Sequence, residues 1–433
     1  MIDLILRNAH IEDEEKNLDF AIDNGVIIDR GPSLTYTARQ EFDLGGRLLI
    51  PGFVESHLHL DVALMNSYAR PGRPAPFTHP RQLNEAMEHR RRSFTRADIK
   101  RRAGAALELA SRHGVTAVRA QCHVDTEIGL KHVEALQSVK EKYAGRVTVQ
   151  IVAFPQQGLL RNPQTIDLFR AAFSVGVDVM GGASNLDSDV QGNVDFKAHL
   201  DTAFKLAMEL DVDLDIHADL GIPDTVALDD LEVVHIARRA IEYGYQGRVT
   251  AGHVCALDSA SPEVAEQAIE LMHEADLSVV SQPDLYRLGR SDTHHVRRGL
   301  TRVKQLLAAG VNVTYASNNV RDAYRPLGNF DLLEEGLILA YGAHMDTVEE
   351  LNTLVRMSTY NGAKALRLPN YGLAKGCQAD LVVLDAPSAS AAIANQAEKR
   401  YVFKAGRLMA ANQVINQLYN GTLAAHYLNS GGA

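Results

Sequence analysis

The stretch Leu49-Ile50-Pro51-Gly52-Phe53-Val54-Glu55-Ser56-His57-Leu58-His59-Leu60 is an apolar run that closes on two histidines spaced two apart. In a β-strand, residues i and i+2 point to the same face. His57 and His59 therefore leave the end of one strand in parallel and can reach one metal ion. The pair is half of a catalytic metal site.

Outward from this run, short apolar segments alternate with amphipathic stretches, the signature of parallel strands joined by crossover helices. Candidate strands fall near 50–59, 115–123, 147–155, 177–183, 213–219, 249–254, 277–283 and 311–318. Thr95–Gly114 and Pro262–Asp276 show apolar residues at helical spacing between them. Eight strands so connected predict an α/β fold, a (β/α)8 TIM-type barrel, with chemistry at the C-terminal strand ends. The flanks read differently. Leu4-Ile5-Leu6, Phe20-Ala21-Ile22 and Val26-Ile27-Ile28 are punctuated by Asn24-Gly25 and Gly31-Pro32, and similar runs return at Asp380–Leu384 and Tyr401–Arg407. These strand and hairpin signals predict a small β-sandwich built from residues 1–50 and 370–433 around a barrel of 51–369.

The chain has 433 residues and a net charge of -10, with no long basic run. That argues against nucleic acid or an anionic membrane as partner and for a small molecule. Cys122, Cys255 and Cys377 are far apart without a CxxC, so neither a disulfide framework nor a zinc ribbon is expected. Met1-Ile2-Asp3 lacks a basic leader and no stretch of about 18 apolar residues occurs, which points to the cytoplasm. Barrels of this size commonly form homo-oligomers, but nothing in the sequence identifies an interface.

Placed on the eight strands, polar residues gather where a barrel needs them. His57 and His59 end strand 1, Gln156 follows strand 3, His217 ends strand 5, His253 ends strand 6, and Asn318 with Asn319 ends strand 8. A lone histidine at such a place is more often structural; four together point to one divalent metal ion per chain. Nitrogen ligands suit Zn²⁺ or Fe²⁺, with Mn²⁺ as a further candidate. Such an ion lowers the pKa of a water from about 15.7 toward about 7, which suits hydrolysis of an amide, amidine or ring C–N bond.

The chain resembles the amidohydrolase superfamily, most of all its cytosine deaminase branch, across nearly its whole length. The resemblance is carried by Pro51–Asp61, Val149–Gln156, Asp215-Ile216-His217-Ala218-Asp219, Arg297–Lys304, Pro326-Leu327-Gly328 and Gly372–Leu384. It implies that His57, His59 and His217 ligate the metal together with position 318. It also implies that Gln156 hydrogen-bonds a substrate amide edge, and that His253 orients the water or the oxyanion. Bland readings stand beside these: Gln156 as a loop cap, His253 as a satisfied barrel-mouth histidine.

Two positions depart from the resemblance. Where the branch has a proton-shuttling glutamate, this chain has Leu220, which cannot move a proton. Asp219 is the adjacent candidate substitute, with helix capping or a salt bridge as its alternative. Where the superfamily has an aspartate that is both ligand and base, this chain has Asn318, which bears no charge and takes no proton. With the histidines retained, Asn318 reads as a replaced aspartate, by design to trap substrate or as a natural variant.

Arg70, Arg73 and His79 in the loop after strand 1, and Asp284, Tyr286, Arg287 and Asp322 near the last strand ends, are candidate substrate contacts with Asn319. Arg119, Gln121 and His123 alternate along strand 2, so they share one face. There Arg119 suits a substrate carboxylate or carbonyl, or belongs to a network at the barrel bottom. The expected activity is metal-dependent hydrolysis of a non-peptide C–N bond, deaminating or dealkylaminating an N-heterocycle or opening a small amide. The alternative is a non-catalytic binding or scaffold protein on the same fold.

Overall fold

The computed structural model describes residues 1–66, 80–189, 192–283 and 299–415, and of 80–86 the backbone only. Sixteen strands are found in this part. β1 (Ile2–Ala9), β2 (Leu18–Asp23), β3 (Val26–Gly31) and β4 (Ala38–Asp43) form one sheet in the order β3-β2-β1-β4. β5 (Leu48–Pro51) precedes the eight parallel strands β6 (Phe53–Leu58), β7 (Val115–His123), β8 (Thr148–Phe154), β9 (Val179–Ala183), β10 (Asp213–Ala218), β11 (Val249–His253), β12 (Ser278–Ser281) and β13 (Asn312–Tyr315). They pair in chain order from β6 to β13, and a bridge between Leu58 and Asn318 brings the two ends together. The expected (β/α)8 barrel is therefore present, with every strand close to its expected place.

Alternation decides what faces in. On β7, Val118, Ala120 and Cys122 pack outward into the main hydrophobic core under the helices, which leaves Arg119, Gln121 and His123 on the opposite, inner face. The helices start where side chains satisfy their first N–H groups. Thr95 accepts from Asp98 N (3.1 Å) ahead of the helix Arg96–Arg112, and Ser261 accepts from Val264 N (3.3 Å) ahead of Pro262–Glu274.

β14 (Leu381–Leu384), β15 (Lys399–Lys404) and β16 (Arg407–Ala411) pair with β5 in the order β16-β15-β14-β5. Leu4, Leu6, Phe20, Ile22, Leu49, Leu381, Val383 and Phe403 share one core between the two terminal sheets. The first barrel strand is shorter than its apolar run suggests. Residues 48–51 pair antiparallel with β14, and the chain crosses into the barrel at Gly52, whose N donates to Asp380 O (2.8 Å). A Cβ at position 52 would stand 2.2 Å from the Thr116 side chain, so only glycine fits. An apolar run does not say which sheet claims each half of it.

Candidate metal and active site

The C-terminal ends of β6, β10 and β11 bring four imidazoles together, each at most 8% exposed. Nε2 of His57 and Nε2 of His59 both lie 3.1 Å from Nε2 of His217. Nitrogens about 2.0–2.1 Å from one tetrahedral ion sit roughly 3.3 Å apart, so each of these two pairs is spaced as two ligands of one divalent cation are. His253 completes the group; its ring centroid is 5.0 Å from that of His217. Ring nitrogens of His57, His217 and His253 also all fall within 4.8 Å of one another. Phe154 packs against His59 and His217, with centroids at 5.1 and 4.6 Å. Burial, and next the charge repulsion from His57, hold His59 well below the usual histidine pKa. A neutral imidazole is the form that ligates a metal.

The backbone is bent to serve this mouth. His253, Val254, Asp219 and Asn318 all have left-handed φ, at +74°, +50°, +51° and +58°. Two such non-glycine residues in succession are strained, and strain of this kind gathers at functional sites. Asn318 is fixed by the barrel closure itself. Its N donates to His57 O (3.0 Å) and its O accepts from His59 N (2.8 Å). Behind it, Glu55 accepts from Ser317 N (3.0 Å), Arg325 donates to Ser317 O (3.0 Å), and Arg325 pairs with Glu335 (2.7 Å). Burial pushes Glu55 up to about 7, against the hydrogen bond from Ser317.

The other expected site residues divide. Gln156, 5% exposed, shares a hydrogen bond with the partly buried Tyr324. Asn319 donates to Asp322, which also accepts from the N–H groups of Tyr324 and Arg325 (both 2.9 Å). Asp219 takes its capping alternative. Its carboxylate accepts from Glu232 N (2.8 Å) and Val233 N (3.0 Å) at the start of the helix Glu232–Glu242, while its own N donates to Glu232 (2.8 Å). Burial, and next the charge of Glu232, raise it to about 8. Leu220 lines a cavity of about 620 Å³ with Phe196, Ile222 and Val226 beside this cap. Arg70, Arg73, His79, Asp284, Tyr286 and Arg287 lie outside the described residues.

Arg119 does not reach toward a substrate. Its guanidinium is consumed by Gln150 (3.0 Å), Thr250 (2.9 Å), Asp215 (3.2 Å) and Ala365 O (3.0 Å), so the barrel-bottom reading holds. Asp215 itself was not singled out from sequence, although its place two residues before His217 on the same strand face was a signal. Its Oδ1 lies 3.3 Å from His57 Nδ1 and accepts from Gln121 Nε2 (2.9 Å). Burial pushes Asp215 up, but the bond to His57 and the charge of Arg119 hold it below the usual carboxylate range. Also unforeseen is a buried trio, Asp61, His123 and His132. Asp61 Oδ2 lies 2.6 Å from His132 Nδ1 and accepts from His123 N (3.0 Å). Their donor atoms fall within 4.8 Å of one another.

Comparison with known proteins agrees with this architecture. Residues 79–410 match the amidohydrolase family model. The chain is 31% identical to an N-isopropylammelide isopropyl amidohydrolase of Pseudomonas sp. (strain ADP), over 95% of this chain and 98% of that one. It is 28% identical to a pterin deaminase of Rhizobium rhizogenes, over 90% and 87%. A crystal structure of 5-methylcytosine deaminase from Klebsiella pneumoniae liganded with 5-fluorocytosine superposes with a TM-score of 0.86 at 28% identity, covering 96% and 99% of the two chains.

Proposed function

The chain belongs to the amidohydrolase family, a metal-dependent family, and on that premise we propose how its site works. It hydrolyses carbon–nitrogen bonds other than peptide bonds. The observation that carries the reading is the convergence of the His57 and His59 Nε2 atoms on His217 Nε2, each at 3.1 Å, where a barrel places its chemistry.

His57, His59 and His217 hold one divalent ion per chain, with the Asn318 amide as a fourth, neutral neighbour. Zn²⁺ is the first candidate and Fe²⁺ or Mn²⁺ the next. When bound, the ion supplies a Lewis acid that activates water near neutral pH. His253, aimed inward by its left-handed backbone, hydrogen-bonds the attacking water or the developing oxyanion. Gln156 reads an amide edge of the substrate, held in place by Tyr324. Asn319 fixes the loop that borders the pocket through Asp322. Asp219 shapes the loop after β10 as a helix cap.

The substrate is a small nitrogen heterocycle, as for the three relatives above, and the reaction removes an amine. Leu220 places no acid beside the ring, so a substrate needing ring protonation, cytosine included, is disfavoured. A substituted triazine amine or an activated cyclic amide expels its nitrogen more readily. Residues 51–369 form the catalytic barrel, and 1–50 with 370–433 its accessory domain. Metal analysis tests the ligand set, and turnover assays of Asn318→Asp on pyrimidines, alkylamino-triazines, hydantoins and small amides test the chemistry. Absence of turnover by the metal-loaded variant on every C–N substrate sinks the reading.

A further inference from the structure

We infer that Asp215, anchored by Arg119, is the positioning residue that makes His57 a metal ligand, and that Asn318 makes this chain unusually dependent on it. The inference rests on the ligand set proposed above. Asp215 is fully buried and shares its two oxygens among Arg119 and Gln121 of β7 and His57 of β6. Oδ2 accepts from Arg119 Nη1 (3.2 Å) and Oδ1 accepts from Gln121 Nε2 (2.9 Å) while lying 3.3 Å from His57 Nδ1. Gln121 Nε2 is itself 3.3 Å from that same Nδ1. The Asp215 carboxylate behind Nδ1 can only accept and so favours the tautomer with its proton there, while the Gln121 amide nitrogen, a donor, is spent on Asp215 Oδ1. The lone pair is then left on Nε2, the atom that faces His217 at 3.1 Å.

Arg119 completes the arrangement from one layer below. It lies two residues before Gln121 on β7, toward the barrel bottom, where Thr250, Gln150 and the Ala365 carbonyl engage the rest of its fork. It therefore fixes the rotamer of Asp215 from the side away from the ion. Carboxylate–histidine–metal chains of this form orient the ring and raise its basicity.

Asn318 raises the weight of this chain. With an aspartate at that position the ion would meet one anion directly. With an amide there, the proposed ligands are all neutral, and a divalent charge in a buried pocket is costly without compensation. Asp215 is then, among the described residues, a buried anion in contact with the ligand set through His57.

The test is a set of folded proteins read by chelator competition for Zn²⁺ and by NMR of the His57 ring nitrogens in the metal-free state. Asp215→Asn is expected to weaken Zn²⁺ binding about 10–100-fold and to lower the share of the Nδ1–H tautomer, with His59 unchanged. Should Asp215→Asn fail to fold beside an unpaired Arg119, the double variant Arg119→Met with Asp215→Asn removes both charges and is expected to show the same loss. In an Asn318→Asp background the cost of Asp215→Asn is expected to shrink by about threefold or more, as groups that compensate the same charge couple. Equal Zn²⁺ affinity in folded Asp215→Asn and parent overturns the positioning role alone. An equal cost in both backgrounds overturns the dependence on Asn318. A parent that binds no divalent ion overturns the proposed ligand set as well.

Discussion

Two buried, charged regions of this molecule behave in opposite ways. At the seam between the terminal sheets and the barrel, the buried lysines Lys399 and Lys404 each meet a carboxylate. Lys404 donates to Asp380 (2.6 Å), Thr148 (2.8 Å) and the Thr116 carbonyl (3.0 Å). Asp331, which caps the helix Leu332–Ala343, pairs with Lys399 and His113. Burial alone would raise Asp331, but His113 and Lys399 hold it at about 2. For three acids around the mouth burial wins instead, in contrast to Asp215, which His57 and Arg119 hold down. Burial leads the causes that lift Glu55 to about 7 and Glu335 and Asp219 to about 8, because their partners are backbone N–H groups, a shared arginine or another acid. Equal burial thus gives opposite pKa displacement, and the partner decides the sign. The seam is built to be stable; the mouth keeps costly groups where chemistry is expected.

The largest break in this contrast comes from position 318. Asn318→Asp is expected to raise kcat/KM by about 10²–10⁴, the usual worth of a positioned base, measured by steady-state kinetics of metal-loaded protein, with no gain in thermal stability. At the seam, Lys404→Met removes the cation from a buried pair. It is expected to lower stability by about 3–5 kcal/mol in denaturant titration while leaving Zn²⁺ affinity unchanged.

Smaller but more diagnostic are the pH slopes. Glu55 has a folded pKa above its unfolded value, so its ionisation opposes folding. The parent is expected to lose about 3 kcal/mol as pH rises from 4.5 through about 7, a loss absent in Glu55→Gln. Asp331 has the reverse sign. Its stabilisation, about 2 kcal/mol, is present above pH 3.8 and lost as pH falls through about 2. The gap between parent and Asp331→Asn is expected to close over that window. Parallel slopes for the two variants in urea titrations at stepped pH would erase the distinction between the regions. The smallest effect is expected at Tyr341→Ser, on a side chain 78% exposed. A change within about 0.5 kcal/mol and unaltered metal binding would show that neither region extends to that surface.

Much of the mouth was legible because its signals are local. His57 and His59 are two apart, and His217 and His253 end apolar strand runs. What stayed hidden depends on partners far along the chain. Asp219 could be a proton carrier or a helix cap, and it took the N–H groups of Glu232 and Val233 for the cap to show. Arg119 could face a substrate until Asp215, Thr250 and Ala365 surrounded it. Ile50 and Pro51 read as the start of a barrel strand until β14, over 300 residues later, paired with their segment.

By itself, then, the sequence determined the eight-stranded parallel barrel, the β-rich ends and the identity of the imidazoles, since periodicity and spacing are properties of neighbours. Only the closed tertiary structure decided that Nε2 of His57 and Nε2 of His217, 160 residues apart, stand 3.1 Å from each other, and that Asp215 stands behind one of them. Such distances are set by barrel closure and by which buried group finds a partner, and no local window of residues contains either.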